Sequence, residues 1–187
     1  MKRGILGKFL LSAALVASLA AASDKGKSST PLTGADLEKG VRHEILMYPK
    51  YTLWDDISFR IDNGNVELRG AVSQPYKKSD LERIVQRIPG VASVTNEIKV
   101  LPLSPQDDRL RLQVARAIYR DSALSRYGMG AVPAIHIIVD NGHVTLTGAV
   151  NNTVDKQVAG MRASGAGLSF GPVINNLTVD NPPAKKS

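Results

Sequence analysis

Asp-Ile-Ser-Phe-Arg-Ile-Asp-Asn-Gly-Asn-Val-Glu-Leu-Arg-Gly-Ala-Val occupies residues 56–72, and Ala-Ile-His-Ile-Ile-Val-Asp-Asn-Gly-His-Val-Thr-Leu-Thr-Gly-Ala-Val occupies residues 134–150. The two stretches align at one offset (Gly70 to Gly148, 148 − 70 = 78). The identical pairs are Ile57/Ile135, Asp62/Asp140, Asn63/Asn141, Gly64/Gly142, Val66/Val144, Leu68/Leu146, Gly70/Gly148, Ala71/Ala149 and Val72/Val150. An internal repeat of this kind replaces one medium-sized domain with two small ones. Most of the shared residues are apolar or turn residues, while residues of catalytic type differ between the copies. A scaffold has been duplicated, with no reactive constellation attached to it.

Each copy reads as a hairpin. Ile57, Phe59 and Ile61 alternate with Ser58, Arg60 and Asp62, the period of a half-buried strand. Asn63-Gly64 supplies the two positive-φ residues of a type I′ turn. That loop sets Ile61 opposite Val66, Phe59 opposite Leu68 and Ile57 opposite Gly70, so the apolar partners share one face. Arg60 then faces Glu67 on the other side, as an exposed ion pair of small worth. Asn141-Gly142 repeats the turn, setting Ile135, Ile137 and Val139 against Gly148, Leu146 and Val144.

Helices flank the hairpins. Thr33–Asp36 has the form of a capping box, and Leu37, Val41 and Ile45 recur on one helical face until Pro49. Pro75 suits a first helical turn, and Leu81, Ile84, Val85 and Ile88 follow at helical spacing before Pro89-Gly90. Asn96 to Val100 is a third extended segment. In the second copy, Leu110, Val114, Ala117 and Ile118 form one stripe; Val154, Val158 and Met161 mark a weaker helix interrupted by Gly160; Asn175 to Val179 echoes the last strand. The expected fold is α+β: two tandem αββαβ sandwich domains, each with helices packed on a three-stranded mixed sheet. The expected boundaries are a signal peptide at 1–22, a flexible linker at 23–35, a first domain at 36–101, a linker at 102–107, a second domain at 108–180 and a disordered tail at 181–187. Domains this small are marginal alone, so the two are expected to pack on each other.

Lys2, Arg3 and Lys8 precede an apolar run from Phe9 to Ala22, with Ala20-Ala21-Ala22 before Ser23. This is the pattern of a secretory signal peptide, and the run is short for a membrane span. The mature form is expected to be soluble, exported and periplasmic, without a transmembrane span. The chain has no cysteine, which excludes a cysteine-attached lipid, disulfides and thiol chemistry. The formal charge of +7 resides mainly in the ends. Residues 36–101 carry equal numbers of basic and acidic side chains, and residues 102–180 have one basic residue in excess. A fold so nearly neutral does not point to nucleic acid as a partner.

No catalytic, cofactor or metal site emerges. His136 and His143 lie on the two strands of the second hairpin, on its outward face, on the order of 10 Å apart at strand rise. With no third ligand evident, they read as surface histidines. His43 stands alone. Asp55-Asp56 and Asp107-Asp108 are adjacent carboxylates, the second pair preceding a helix, where acids cap. Gly165, Gly167 and Gly171 lack the residues of a phosphate loop, and no nucleophile elbow is present. The chain reads as non-enzymatic. Ile138 on the outward hairpin face suggests that this face is covered, by the other domain at least as readily as by a ligand.

One surface stands out. Arg109, Arg116 and Arg120 fall on one side of the helix that opens the second copy, and Arg126, Tyr127 and Met129 follow near its end. Arginine beside an interfacial aromatic and an apolar tip suits phosphate headgroups and the upper acyl region. The alternative is a solvated arginine face balanced by Asp107, Asp108 and Asp121.

The repeated pattern resembles the BON domain. The residues that carry it are Val66-Glu67-Leu68-Arg69-Gly70-Ala71-Val72, Pro89-Gly90-Val91 and Val94-Thr95-Asn96-Glu97-Ile98-Lys99-Val100. The second copy supplies Val144-Thr145-Leu146-Thr147-Gly148-Ala149-Val150 and Val173-Ile174-Asn175-Asn176-Leu177-Thr178-Val179. The resemblance implies a peripheral partner: an anionic phospholipid membrane surface or, alternatively, unfolded or envelope proteins served by a periplasmic chaperone. It implies a role in envelope integrity under osmotic stress, and it points to the same arginine-bearing helix for lipid contact. The chain departs from the family pattern in lacking a lipoprotein cysteine. Its second copy also has Gly165 to Pro172 in place of the Pro-Gly-Val helix end.

Overall fold

The structure is a computed structural model that describes residues 31–180 apart from Ala131 and Leu168. The expected signal peptide, most of the linker before the first domain and the C-terminal tail lie outside the described residues.

The first unit runs α1 (Gly34–Leu46), β1 (Asp56–Asp62), β2 (Asn65–Val72), α2 (Pro75–Gln86), β3 (Ser93–Asn96) and β4 (Lys99–Val100). The second runs α3 (Pro105–Tyr119), a 3-10 turn (Ser125–Gly128), β5 (Ile135–Asp140), β6 (His143–Val150), α4 (Thr153–Ser164), β7 (Ile174–Asn175) and β8 (Thr178–Val179). This is the expected α+β architecture, with two mixed sheets. Both hairpins adopt the predicted register, including Phe59 opposite Leu68 and Ile137 opposite Leu146. Asn63 and Gly64 have φ of 48° and 82°, and Asn141 and Gly142 have 51° and 79°. Gly70 and Gly148 have φ of +117° and +105°, and a Cβ there would lie 2.0 Å and 2.1 Å from the carbonyl oxygens of Asp56 and Ala134. These two glycines of the repeated motif therefore permit the hairpin ends to close.

The third strand position is split. β3 and β4 both pair parallel with β2, and β7 and β8 with β6. The cause is the repeated Asn-x-Ile/Leu. Asn96 accepts the Ile98 N–H at 3.2 Å and donates to the Lys78 carbonyl of α2 at 2.8 Å. Asn175 does the same with Leu177 at 3.3 Å and Lys156 at 2.7 Å. This Asx turn breaks the ladder and drives Ile98 and Leu177 into the two cores, each 1% exposed. The first core joins Leu37, Val41 and Ile45 of α1 to Val66, Leu68 and Val72 of β2 and Leu81 and Val85 of α2. The second joins Leu110, Val114 and Ile118 of α3 to the inward residues of β5 and β6 and to Ala159 and Ala163 of α4.

Two local expectations are corrected. Thr33 is the N-cap of α1, but its side chain makes no cap bond, and only its carbonyl is engaged. Glu67 pairs with Arg69 at 2.5 Å rather than with Arg60, and Arg69 also reaches Glu97. Residues two apart on a strand share a face, and here that neighbour takes the carboxylate.

The units pack on each other. The segment between α1 and β1 lies along the outer edge of β5, where the Ile137 N–H donates to the Leu53 carbonyl at 2.7 Å. Leu53 and Trp54 pack against the second core. The Tyr51 ring lies 5.4 Å from that of His136, and Lys99 pairs with Asp140. Ile138 is buried, as its sequence position suggested. No helix among the described residues is long and apolar enough to cross a membrane.

Candidate membrane-facing site

α3 begins with strong local signals. Ser104 is its N-cap, with Oγ accepting from Asp107 N at 3.2 Å, and Pro105 opens the first turn. Leu110, Val114 and Ile118 bury the inner stripe, which leaves the outer face to Arg109, Arg116 and Arg120. Arg116 and Arg120 border a groove of ≈ 460 Å³ between α3 and α4, with Ala117, Asp121, Met161, Arg162 and Gly165 completing it. Arg162 Nε donates to Asp121 Oδ2 at 2.8 Å. The Ala123 N–H and then Arg162 hold the Asp121 carboxyl below the usual carboxylate range. Arg116 and Arg120 form no ion pair among the described residues. The groove therefore holds three guanidinium groups against one carboxylate, beside an exposed methionine, Met161.

The other sequence-predicted residues do not all join this site. Arg109 borders a separate hollow beside Leu110, Gln113 and Phe170. Seven residues bring it to the same helix side as Arg116 but roughly 10 Å along the axis. Arg126 is half-exposed and paired with Asp155. Tyr127 is corrected outright: it is 7% exposed, and its hydroxyl donates to Asp155 Oδ2 at 2.5 Å and accepts the Asn151 N–H at 2.9 Å. Met129 is 78% exposed. Met161 and Arg162 were missed. They lie on α4, and nothing in the sequence placed that helix face beside Arg116.

Sequence reading also missed two buried polar clusters at matching positions. In the first unit Asp55 is fully buried and accepts five hydrogen bonds. They come from Thr52 N (2.9 Å), Thr52 Oγ1 (2.7 Å), Ser73 N (2.8 Å), Ser73 Oγ (2.9 Å) and Lys77 Nζ (2.6 Å). Burial pushes the Asp55 carboxyl up, but the bonds from Lys77, Ser73 and Thr52 outweigh it and hold it low. In the second unit the polarity is reversed. Asp155 stands at the place of Lys77 (155 − 77 = 78), and Arg126 and Tyr127 answer it. Burial again opposes ionisation of Asp155, and the bonds from Tyr127 and Arg126 again prevail. Ser73 Oγ lies 2.9 Å from Lys77 Nζ, but both are committed to Asp55 and shielded from solvent. Asp107 is buried too, its carboxylate receiving Asn141 N at 3.0 Å and Gly142 N at 2.8 Å.

His136 corrects another expectation. It does point to the outward face, but Tyr51 covers it and leaves it 7% exposed. Burial lowers its pKa, against the pull of Asp56. His143 remains exposed.

The chain was compared with known proteins. The family model described as BON domain matches it twice, over residues 34–102 and 106–181. No curated protein matches it. Among solved structures it is similar to the C-terminal domain of CdsD, described as the structural protein of the Type III secretion system of Chlamydia trachomatis. That match has 15% identity and a TM-score of 0.31, covering 79% of this chain and 66% of that one. A second CdsD structure gives 20% identity and a TM-score of 0.28, covering 80% and 94%.

Proposed function

The chain belongs to the BON domain family, and on that premise we propose that it is an exported, non-enzymatic envelope protein that docks peripherally on anionic phospholipid surfaces and supports envelope integrity under osmotic stress. The observation that carries this reading is the gathering of Arg116, Arg120 and Arg162 around Met161 in one groove. Guanidinium forks match phosphate oxygens with paired donors. Each basic group near an anionic leaflet gains about 1 kcal/mol. Met161 and Ala117 offer an apolar floor for the upper part of an acyl chain. The basic, apolar and small-residue succession of residues 1–22 supports export.

The test is co-sedimentation of residues 23–187 with phosphatidylglycerol and phosphatidylcholine vesicles at low and physiological salt. Binding is expected to the anionic vesicles only, weakening with salt as surface charges are screened. Arg116→Glu with Arg120→Glu should abolish it while leaving the melting temperature unchanged, since both side chains are exposed. Absence of binding at either salt, or binding indifferent to these charges, would rule out the membrane role.

A further inference from the structure

The two units differ where their first helix meets the hairpin. Aligning the buried stripes of α1 and α3 (Leu37 with Leu110, 110 − 37 = 73) puts Gly34 at the place of Asp107 and Glu38 at that of Arg111. In the second unit, Asp107 holds the turn amides of Asn141 and Gly142, and Arg111 Nη2 donates to the Val139 carbonyl at 2.8 Å. Gly34 has no carboxylate to offer, and Glu38 has no donor. α1 accordingly stands off from β1, and a groove of ≈ 720 Å³ opens, with Leu37, Phe59 and Ile61 along it and Asn63 and Gly64 at one end. Neither turn amide has a partner among the described residues.

Among the described residues, the outer edge of β1 is open as well. β1 ends its sheet. Asp62 and Asn65 close the two-residue turn as a hydrogen-bonded pair. By alternation, the N–H and C=O groups of Ile61 and Phe59 then face away from β2. Ile137 is the counterpart of Phe59 (137 − 59 = 78), and its N–H is taken by the carbonyl of Leu53, inside a turn closed by Asp55 N to Thr52 O at 3.1 Å. The second unit thus satisfies, from within the chain, two turn amides and an edge N–H whose counterparts in the first have no partner among the described residues. At the turn end the groove is closed, because Leu32 is tied to Pro89 (Leu32 N to Pro89 O, 3.0 Å) and Leu32 and Gly90 line that end. A strand running toward the turn must stop there.

We propose that this groove receives the C-terminal residues of an extended polypeptide. Its backbone pairs with β1 at Phe59 and Ile61, and an apolar side chain rests on Leu37 and Phe59. Its terminal carboxylate takes the amides of Asn63 and Gly64, as Asp107 does in the second unit. Strand addition supplies affinity and carboxylate capture fixes the register. Arg42, whose guanidinium lies 5.5 Å over the Phe59 ring and pairs with Glu38 at 3.1 Å, stands on the same wall.

The test uses residues 23–187, which retain every described residue, and fluorescence anisotropy of labelled Lys-Tyr-Thr-Leu-Trp. This is the sequence of residues 50–54, the segment that lines the equivalent edge of β5. The peptide with a free carboxylate is expected to bind about tenfold or more tightly than its C-terminal amide. Gly34→Asp supplies the missing internal carboxylate and should weaken binding to a similar degree. Its Cβ meets nothing within 4 Å, and at the local φ of +53° aspartate is one of the least strained replacements for glycine. Ile61→Pro, which removes an outward-facing N–H of the edge strand without breaking a bond to β2, is a second blocking variant. Arg116→Glu with Arg120→Glu should leave peptide binding intact, which separates this site from the membrane reading. Equal affinity for acid and amide, binding unaffected by both blocking variants, or no binding at about millimolar peptide would overturn the proposal. So would a dimer, detected by light scattering without peptide and lost in Gly34→Asp, because it would make a second copy the occupant.

Discussion

Replacing Lys77 by methionine tests the buried pair at its most exacting point. Lys77 and Asp55 are 4% and 0% exposed, so the variant leaves a carboxylate with no compensating charge and no access to water. Breaking such a pair costs about 3–5 kcal/mol. A unit of this size has a total stability of only about 3–10 kcal/mol, at roughly 0.05–0.15 kcal/mol per residue. Lys77→Met should therefore remove much of the first unit's stability. Arg126→Met should cost about 1 kcal/mol or less, because Arg126 is 48% exposed and Asp155 keeps Tyr127 and Asn152 as donors. Adding Asp55→Leu to Lys77→Met should not restore stability, since the Ser73 N–H then loses its acceptor. Urea denaturation followed by circular dichroism and by the single tryptophan reads the difference. The lowered Asp55 pKa contributes stability present above about pH 4 and lost as pH falls through its folded value. The gap between wild type and Lys77→Met should narrow below that pH. Equal costs for the two variants, or a gap that is constant with pH, would refute the reasoning.

Gly70→Ala and Gly148→Ala should each cost at least about 2 kcal/mol, from positive φ and from a Cβ set against a carbonyl oxygen, measured by thermal melts. Asp107→Ala should cost about 1–3 kcal/mol by orphaning two turn amides, measured in the same denaturation assay. His136, with its lowered pKa, resists a proton that the unfolded chain accepts. Stability should therefore fall as pH drops below about 6.5, and His136→Phe should flatten that slope in a melting series.

The hairpins were legible because their information is local. Alternation, a two-residue Asn-Gly turn and a repeat at constant offset leave one register that puts every apolar partner on one face. The split third strand was less so, because Asn96 acts through a carbonyl of α2 that periodicity does not reveal. The charged clusters were hidden for the same reason. Asp55 looked like half of an inert acidic pair, and Tyr127 like an interfacial ring, because their partners, Lys77 and Asp155, lie 22 and 28 residues away. The candidate membrane site was half visible. Arg116 and Arg120 could be read from helical spacing, whereas Met161 and Arg162 depend on how α4 packs on α3.

The strap formed by Leu53 and Trp54 gives the duplication a direction in time. The first unit closes its core with residues from its own half, but the second is capped by a segment synthesised some eighty residues earlier. As the chain emerges, the N-terminal half can fold before its neighbour exists. The C-terminal half meets its cover already in place, and so never has to present a bare β5 edge to the surroundings. Transposing the two halves would keep every residue and lose that protection.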